Sequence, residues 1–405
     1  TGAAKLALVN RAREQYDGFD IVLKEFTAMF LYNIAKPYWK KKHICLVDEK
    51  YSTRAQDNGY YFFKHCMEHD EESFLNKKIF YIIDKDSPDR SKVEPYKNRL
   101  LDFMSIRHMI YLLAADIIVS SDSRYHTYAM QSRHSIFNRY IKKIPFVFLQ
   151  HGVIALKRVD GFYGKGKKGG CNLFVVSTNK EKETIVENFG YEPEEVINTG
   201  LPRWDVLKDK SEGRREILIM PTWRNWLDSV PDKDFEESDY FRHYMGLLNS
   251  KRLNDILEKY DLEINFYLHA KFQDYADNFK SISKRIHLIS FGEVAVNEML
   301  MRCRMLITDY SSVCWDVLYQ DKPSLFYQFD IDKYNEAHGS YIDMDTELFG
   351  DRAKTQEQLL DRLEETVQND FHLKPEYEKM RREYLQFKDH EHSRHICEEI
   401  KERFC

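Results

Sequence analysis

Two histidines stand directly after apolar runs, where a side chain can reach a substrate. One belongs to Gln150-His151-Gly152, and the other is His269, which has Lys271 two residues further on. An imidazole at a strand end can act as a general base near neutral pH, or it can contact a phosphate and protonate a leaving group. Gly152 allows a tight turn that would expose the first imidazole. Alternatively, each is a structural histidine that is hydrogen-bonded to the backbone.

Two further apolar runs are followed by arginine. Arg203 comes soon after one run, and Pro221-Thr222-Trp223-Arg224 directly follows another. The fork of donors on an arginine suits a phosphate or a carboxylate, and the second motif can hold both a base and a phosphate. The alternatives are structural: Arg203 pairs with a surface acid, and the second motif is a strand-ending turn with a packed tryptophan.

Adjacent hydroxyls, Ser311 and Ser312, separate the apolar run that ends at Ile307 from a second apolar stretch. If a helix starts near Ser312, its free N–H groups and its dipole favour an anion, and the two hydroxyls add donors. Asp316 would then lie on the first turns of that helix. The alternative is an N-cap without any ligand, because serine is favoured at that position.

These motifs follow short β-rich runs that alternate with helical patterns, in two series separated by a charged segment, 208–216. Nearly continuous apolar strands with helices between them are typical of parallel sheets buried on both faces. The sequence therefore predicts an α/β protein with two doubly wound, Rossmann-like domains that face each other across a cleft. The predicted strands are Ile44–Val47, Ile79–Ile83, Ile117–Val119, Phe146–Leu149, Leu173–Val176 and Glu195–Ile197, then Ile217–Met220, Ile264–Leu268, Met305–Ile307 and Ser324–Tyr327.

We predict four segments along the chain: a helical segment at 1–40, Rossmann-like domains at 41–209 and 210–375, and a helical tail at 376–405. The first segment has an apolar helical face that includes Phe26, Phe30 and Ile34, and a basic run, Lys40–Lys42, follows it. This face either packs on the body of the protein or contacts a membrane or an acceptor as an amphipathic element.

Composition excludes several classes of protein. The chain has 405 residues and a formal net charge of -5, so no global basic field favours nucleic acid. No apolar run approaches the length of a membrane span. The 7 cysteines form no CxxC pair, which favours reduced thiols in a cytosolic compartment. Because position 1 is Thr, we expect a processed or shortened chain and draw nothing from the lack of a signal peptide.

The order and spacing of the strand-end motifs are specific as a set, which begins near Ala55. Its members are Gln150-His151-Gly152 with Lys157, Thr199–Asp205, Pro221–Arg224, and Thr308–Ser312 with Asp316 and Lys322-Pro323. The set resembles the CDP-glycerol glycerophosphotransferase family, which comprises the teichoic acid primases and polymerases and their capsule-polymer relatives. The resemblance implies a GT-B-like fold. It also implies transfer of glycerol phosphate, or ribitol phosphate in relatives, from a CDP-activated donor to a hydroxyl acceptor, with release of CMP.

The resemblance further implies roles for individual residues. His151 and His269 are the catalytic positions, with His151 as the general base and His269 also at the donor. The implied donor-binding positions are Gly152, Arg203, Thr222, Trp223, Arg224, Ser311, Ser312 and Asp316. We assign Asp316 to the polyol hydroxyls. The domain at 41–209 would face the acceptor, and the domain at 210–375 would hold the CDP donor. We expect no metal and no cofactor.

Basic side chains mark the expected acceptor or membrane side: Lys157, Arg158, Lys165, Lys167 and Lys168. The last three lie in 162–170, where the resemblance places an acceptor or membrane loop, although a flexible solvated loop is the alternative. The expected partners are CDP-glycerol or CDP-ribitol, a glycan, polyol-phosphate or lipid-linked acceptor, and an anionic membrane surface, with no nucleic acid. The expected location is the cytoplasm, at the inner face of the bacterial cell membrane.

Two alternative functions use the same residues. A GT-B glycosyltransferase would have the same fold and a nucleotide sugar as its donor, so that only donor turnover separates the two enzymes. A non-catalytic module of a polymer-synthesis assembly would bind a nucleotide without turning it over.

Overall fold

The computed structural model of the protein describes residue 16 and residues 18–129, 135–290 and 292–405. The chain divides into two compact α/β units. The N-terminal unit holds the described residues up to Val153, together with Val159–Val206 and Gln386–Cys405. The C-terminal unit holds Ile154–Arg158 and Leu207–Leu385. Each unit is built on one parallel β-sheet, as predicted.

The N-terminal sheet has seven strands: β1 Ile44–Asp48, β2 Lys78–Ile83, β3 Leu100–Asp102, β4 Ala115–Ser120, β5 Phe146–Phe148, β6 Leu173–Val176 and β7 Val196–Asn198. Their order in the sheet is β3-β2-β1-β4-β5-β6-β7. Strand β1 pairs in parallel with β2 and β4, and all of its residues are buried. Burial on both faces explains the continuous apolar runs in the sequence.

The C-terminal sheet has six strands: β8 Glu216–Ile219, β9 Glu263–Tyr267, β10 Ile286–Ile289, β11 Met305–Thr308, β12 Ser324–Tyr327 and β13 Asp351–Ala353. Their order is β10-β9-β8-β11-β12-β13, and β8 pairs in parallel with β9 and β11. The ten predicted strands are confirmed within one or two residues at their ends. The strands β3, β10 and β13 lie at sheet edges and were not predicted.

Helices connect the strands. Those of the N-terminal unit are α1 Phe19–Ile34, α2 Lys36–Lys40, α3 Asn58–Glu68, α4 Glu71–Leu75, α5 Arg90–Val93, α6 Ile106–Ala114, α7 Asn138–Ile141, α8 Asp160–Tyr163, α9 Asn179–Phe189 and, at the end of the chain, α18 His392–Phe404. Those of the C-terminal unit are α10 Asp232–Glu236, α11 Asp239–Leu248, α12 Lys251–Lys259, α13 Val296–Arg302, α14 Val313–Tyr319, α15 Ile331–Ala337, α16 Gln356–Gln368 and α17 Pro375–Tyr384.

The compact units differ from the predicted segments in two places. The predicted tail, 376–405, is divided, because α17 belongs to the C-terminal unit and α18 to the N-terminal unit. Ile396, Cys397 and Ile400 on α18 are buried in the same core cluster as Phe62 and Cys66 on α3. The short segment Ile154–Arg158 also belongs to the C-terminal unit, although both of its flanks lie in the N-terminal unit.

Helix α1 exposes most of its predicted apolar face. It buries Ile21, Glu25 and Ala28 instead. The Glu25 carboxylate accepts hydrogen bonds from the Tyr128 hydroxyl at 2.7 Å and the Ser135 hydroxyl at 2.6 Å, so this charge is buried with donors around it. Within the described ranges, no helix has the length and apolar content needed to cross a membrane.

Candidate active site

His151 lies in a turn that directly follows strand β5. Gln150, the residue before it, has a left-handed backbone with φ of 47°, which is uncommon for a residue with a Cβ atom. The Gln150 side chain anchors the turn, because Nε2 donates to the Val175 carbonyl oxygen at 3.0 Å and to Glu181 Oε1 at 2.9 Å. We predicted that Gly152 would allow this turn. The residue of the turn with a left-handed backbone is instead Gln150.

The neighbours of the His151 imidazole determine where its hydrogen lies. Nδ1 is 3.3 Å from the Ser121 carbonyl oxygen and 3.8 Å from Asp122 Oδ1. Both neighbours are acceptors, so Nδ1 of the neutral ring carries the hydrogen and Nε2 keeps its lone pair. The side chain is 49% exposed. A ring in this state can accept a proton from a bound hydroxyl.

Asp122 places a fixed negative charge beside His151. Its Oδ2 accepts the Tyr51 N–H at 3.1 Å and lies 3.4 Å from His126 Nδ1. Burial acts to raise the pKa of Asp122, but His126, His151 and Lys50 together hold it well below its usual value. The carboxylate is therefore ionised at neutral pH and stabilises the imidazolium that forms when Nε2 takes a proton.

Asn58 and Arg203 fix the backbone of the His151 turn. Asn58 Nδ2 donates to the Gln150 carbonyl oxygen at 2.7 Å, and Asn58 Oδ1 accepts the Arg203 N–H at 3.1 Å. Nη1 of Arg203 donates to the His151 carbonyl oxygen at 3.0 Å and lies 3.4 Å from Asp57 Oδ1. Arg203, predicted to bind the donor, therefore lies in the N-terminal unit beside the predicted base.

In the C-terminal unit, Arg224 is fully buried among acids. Nη1 lies 2.8 Å from Asp309 Oδ2, and Nε and Nη2 lie 2.7 Å and 3.1 Å from the two oxygens of Asp330. Burial acts to lower the pKa of the guanidinium, but Asp309 and Asp330 raise it well above its usual value. These carboxylates already occupy its guanidinium, which favours a supporting role for Arg224 over the donor contact that we predicted.

Asp309 joins the loop after β8 to the loop after β11. Its Oδ1 accepts the N–H of Thr222 at 2.8 Å and that of Tyr310 at 2.6 Å, and the Tyr244 hydroxyl donates to Oδ2 at 3.2 Å. Asp309 is 0% exposed. It therefore orders the two predicted donor-binding loops of this unit from within the protein.

His269 follows β9 and has the opposite hydrogen assignment to His151. Its Nδ1 accepts the Lys271 N–H at 3.2 Å, so in the neutral ring Nε2 carries the hydrogen. The ring centroid lies 6.3 Å from that of Trp223, which is buried. His269 can therefore donate a hydrogen bond near the motif Thr222-Trp223.

Ser311 and Ser312 lie between β11 and α14, and both are partly exposed. The helix begins at Val313 with Ser312 as its N-cap residue, which confirms the predicted start. The Ser312 side chain makes no capping hydrogen bond, so its hydroxyl is not needed for the cap. Asp316, predicted to contact polyol hydroxyls, lies on α14 and is 1% exposed.

The basic residues predicted on the acceptor or membrane side belong to different units. Lys157 and Arg158 are in the C-terminal unit, where the Arg158 N–H donates to the Gly339 carbonyl oxygen at 3.3 Å. The ammonium of Lys157 lies 5.0 Å from the Trp223 ring centroid. Lys157 therefore lies against a predicted donor-binding residue, and its predicted place on the acceptor side stays a prediction.

The other basic residues, Lys165, Lys167 and Lys168, are exposed on the N-terminal unit. Their segment is held by backbone hydrogen bonds from Lys165 to Phe189 and from Gly169 to Phe162, both at 2.8 Å. One of these bonds ties the segment to the end of α9, and its lysines face solvent.

The profile of the family described as CDP-Glycerol:Poly(glycerophosphate) glycerophosphotransferase matches residues 28–402. The chain belongs to this family. The chain is also similar to curated proteins from several bacteria. One is the minor teichoic acid biosynthesis protein GgaB of Bacillus subtilis, 28% identical over 383 residues that cover 91% of this chain and 40% of GgaB. Another is a teichoic acid poly(ribitol-phosphate) polymerase of Bacillus spizizenii, 30% identical over 56% of this chain and 39% of that protein.

This glycerophosphotransferase-family chain thus spans less than half the length of those two relatives. Among solved structures it is similar to the wall teichoic acid polymerase TagF, with a TM-score of 0.65 and 17% identity over 95% of this chain and 97% of that chain. It is also similar to a UDP-GlcNAc 2-epimerase from Neisseria meningitidis bound to UDP-GlcNAc, with a TM-score of 0.52 and 12% identity over 89% of this chain and all of the other. These likenesses confirm the predicted GT-B-like fold class.

Three residues of the family's candidate site were missed by the sequence analysis. Asp122 follows β4 directly, so the rule that singled out His151 would also have found it. Asp330 follows β12 and Asp57 precedes α3, but neither lies in a motif with an evident chemical role. Only the contacts of Asp330 with Arg224 and of Asp57 with Arg203 assign them to the site.

Proposed function

We propose that this chain transfers glycerol phosphate or ribitol phosphate from a CDP-activated polyol to a hydroxyl of a cell-surface polymer or its precursor. Membership of the glycerophosphotransferase family supports the reaction class. The observation that carries the mechanism is the opposite state of two strand-end histidines. His151 has an acceptor at Nε2, whereas His269 has a donor there. The lone pair on His151 Nε2 suits a general base, and the N–H of His269 Nε2 can stabilise a developing negative charge.

The reaction begins at the acceptor hydroxyl. Its proton passes to His151 Nε2 as the oxygen attacks the phosphorus that bears the polyol. The bond from that phosphorus to the bridging oxygen breaks, and CMP leaves with the electron pair. The Asp122 carboxylate, 3.8 Å from His151 Nδ1, stabilises the imidazolium. Positioning and charge stabilisation carry most of the catalysis in phosphoryl transfer.

Donor contacts come from strand-end groups of the C-terminal unit. His269 Nε2 and the hydroxyls of Ser311 and Ser312 donate to the phosphates, and Thr222 and Trp223 hold the nucleotide. Arg203 holds the turn that carries the base through the His151 carbonyl oxygen, and Arg224 supports the donor loops through Asp309. Gly152 and Asp316 keep their proposed places on the donor side, with Asp316 at the polyol hydroxyls.

A donor screen tests the function. The purified chain is incubated with an acceptor fraction and, separately, with CDP-glycerol, CDP-ribitol, UDP-GlcNAc and UDP-glucose, and nucleotide release and product mass are measured. We expect CMP release and a mass increase of one polyol phosphate with at least one CDP-polyol. Turnover of a nucleotide sugar instead would establish a glycosyltransferase. Binding of CDP without turnover across acceptor fractions would establish a non-catalytic module.

We expect Asp122→Asn to lower kcat about 10-fold, because an amide does not offset the imidazolium charge. The asparagine oxygen can still accept the Tyr51 N–H, so KM for the CDP-polyol and the thermal midpoint should stay near wild-type values. Asp116→Asn is the matched control, since Asp116 lies 3.0 Å from the exposed His43 and should leave kcat unchanged. Equal kcat for Asp122→Asn and wild type would remove Asp122 from the mechanism.

The membrane contact is part of this proposal. Phe19, Leu23, Phe26, Phe30 and Ile34 recur at helical spacing on α1 and are 57–82% exposed. Exposed lysines follow directly: Lys36, Lys40 and Lys41. A large apolar stripe beside cations fits an anionic lipid surface. We therefore propose that the N-terminal unit binds the inner face of the cell membrane through α1.

We expect the double variant Phe26→Ser/Phe30→Ser to cosediment less with phosphatidylglycerol vesicles than wild type, by about 10-fold or more in partition coefficient. Phosphatidylcholine vesicles should bind both proteins weakly, because the lysines need anionic lipid. Ile282→Ser is the control, as Ile282 is 88% exposed but lies in the C-terminal unit. Unchanged sedimentation of the double variant would rule out α1 as the membrane contact.

A further inference from the structure

Two lysine ammonium groups lie against the same buried indole in the C-terminal unit. Lys271 Nζ is 3.8 Å from the Trp223 ring centroid, and Lys157 Nζ is 5.0 Å from it. A cation near an aromatic face is held there by the ring quadrupole. Two cations on one ring nevertheless repel each other, and burial together with Lys271 lowers the pKa of Lys157. This cluster therefore gains stability when an anion joins it.

Protein carboxylates compensate these charges poorly. Lys271 Nζ is buried without a hydrogen bond to any described residue, and Asp228 Oδ2 is 3.9 Å away. Across the described part of the chain, Lys157 forms no ion pair within 4 Å. The nearby acids Asp309 and Asp330 are bound to Arg224. The cluster thus has an excess of positive charge.

Other groups around the ring agree with an anion site. The Thr222 hydroxyl is a second buried polar atom without a hydrogen-bond partner among the described residues, and it belongs to the residue before Trp223. The His338 ring lies 6.4 Å from the Trp223 ring. Burial, Lys157 and Arg224 lower the pKa of His338 to about 4, so the histidine is neutral near pH 7. His338 therefore adds no third positive charge beside the two lysines.

The backbone fixes Lys157 in this place. Its segment, Ile154–Arg158, is bound to the C-terminal unit on both sides of the lysine. The Tyr341 N–H donates to the Ala155 carbonyl oxygen at 2.9 Å, and the Tyr334 hydroxyl donates to the Leu156 carbonyl oxygen at 3.1 Å. Lys271 is fixed in turn by its own N–H, which donates to His269 Nδ1. Both cations are thus pre-organised for a ligand.

We propose that Lys157 and Lys271 form a phosphate-binding subsite on Trp223 that takes the diphosphate of a nucleotide. The inference deepens the proposed function and rests on it for the identity of the nucleotide as CDP. A diphosphate neutralises both ammonium groups at once and gives each a charged acceptor. The Thr222 hydroxyl supplies a further donor.

Calorimetric titration of cytidine, CMP and CDP into the wild type and four variants tests the subsite. We expect Lys157→Gln and Lys271→Gln each to weaken CDP binding about 10- to 100-fold and to leave cytidine binding unchanged. The affinity gain from cytidine to CDP should also become less sensitive to salt. Lys333→Gln is the matched control, because Lys333 lies 4.9 Å from the Trp226 ring in the same unit but is exposed. Lys271→Arg keeps the positive charge and should retain most of the CDP affinity. It therefore separates loss of the charge from loss of structure at this position.

The other outcomes are equally decisive. Equal weakening of cytidine and CDP, or unchanged CDP binding with a raised KM for the acceptor, overturns the subsite. Wild-type preference for UDP or ADP, with a phosphate-dependent gain lost in both variants, keeps the subsite and overturns CDP-polyol as the donor. A phosphate-dependent gain for CDP that both variants retain overturns the subsite and leaves the proposed function standing. Failure of the wild type to bind any nucleoside diphosphate overturns the subsite as well.

Discussion

We expect His151→Ala to slow the proposed polyol-phosphate transfer by about 100- to 10,000-fold, the range that a general base contributes. The alanine variant has no group that can take the acceptor proton. Donor binding should survive, because the predicted donor contacts His269, Ser311 and Ser312 belong to the C-terminal unit, whereas His151 belongs to the N-terminal unit. Transfer is measured as initial CMP release at saturating donor, and donor affinity by titration.

Two controls separate loss of the base from loss of structure. His43→Ala removes an exposed histidine that also has a carboxylate neighbour, Asp116 at 3.0 Å, and it should leave the rate unchanged. His151→Gln keeps a polar side chain in the turn but supplies no base, so it should be as slow as the alanine variant. If either His151 variant turned over at the wild-type rate, another residue would have to be the base.

The central strands of both sheets could be predicted because burial on both faces requires continuous apolar sequence. Three of the four edge strands in the described part of the chain, β3, β10 and β13, lack such a run, whereas the edge strand β7 has one and was predicted. His287 and Leu288 of β10 are exposed, and β13 has the sequence Asp-Arg-Ala, of which only Ala353 is buried. β3 has three residues and ends in the exposed Asp102. Pairing to a neighbour, which the sequence does not display, defines these strands.

Strand-end position was a good guide to candidate residues but not to their partners. His151, His269 and Ser312 follow strands in the way that the sequence predicted. Whether the side chain after a strand points to solvent or into the protein depends on residues far along the chain. Arg224 is buried because Asp309 and Asp330 enclose it, and neither acid can be paired with it from sequence spacing.

The surroundings of Lys157 could not be predicted for a similar reason. The lysine was grouped with other basic residues, and nothing in the sequence indicates the unit to which it belongs. The backbone crosses to the C-terminal unit at Ile154 and returns after Arg158. The apolar residues Ile154, Ala155 and Leu156 are buried there. Three apolar residues in a loop indicate burial but not the unit against which they pack. Their hydrogen bonds to Tyr334 and Tyr341 are tertiary contacts that only the structure reveals.

Arg224→Met should destabilise the C-terminal unit by about 3–5 kcal/mol, as expected when one partner of a buried charge cluster is removed. Methionine fills much of the volume but leaves the carboxylates of Asp309 and Asp330 without their cation. The loops after β8 and β11 should loosen, since Asp309 holds the N–H groups of Thr222 and Tyr310. Denaturant unfolding at pH 7 and hydrogen exchange of these two loops measure the effect.

Arg242→Met is the matched control, because Arg242 also pairs with an acid, Asp239, but is 66% exposed on α11. It should change stability by less than about 0.5 kcal/mol. Arg224→Met should lose CDP affinity only to the extent that the loops after β8 and β11 lose hydrogen-exchange protection. At temperatures where these loops stay ordered, its CDP affinity should equal that of the wild type. A variant with wild-type stability and protection that nevertheless loses CDP affinity would mean that Arg224 contacts the nucleotide. The support role derived from its burial would then be wrong.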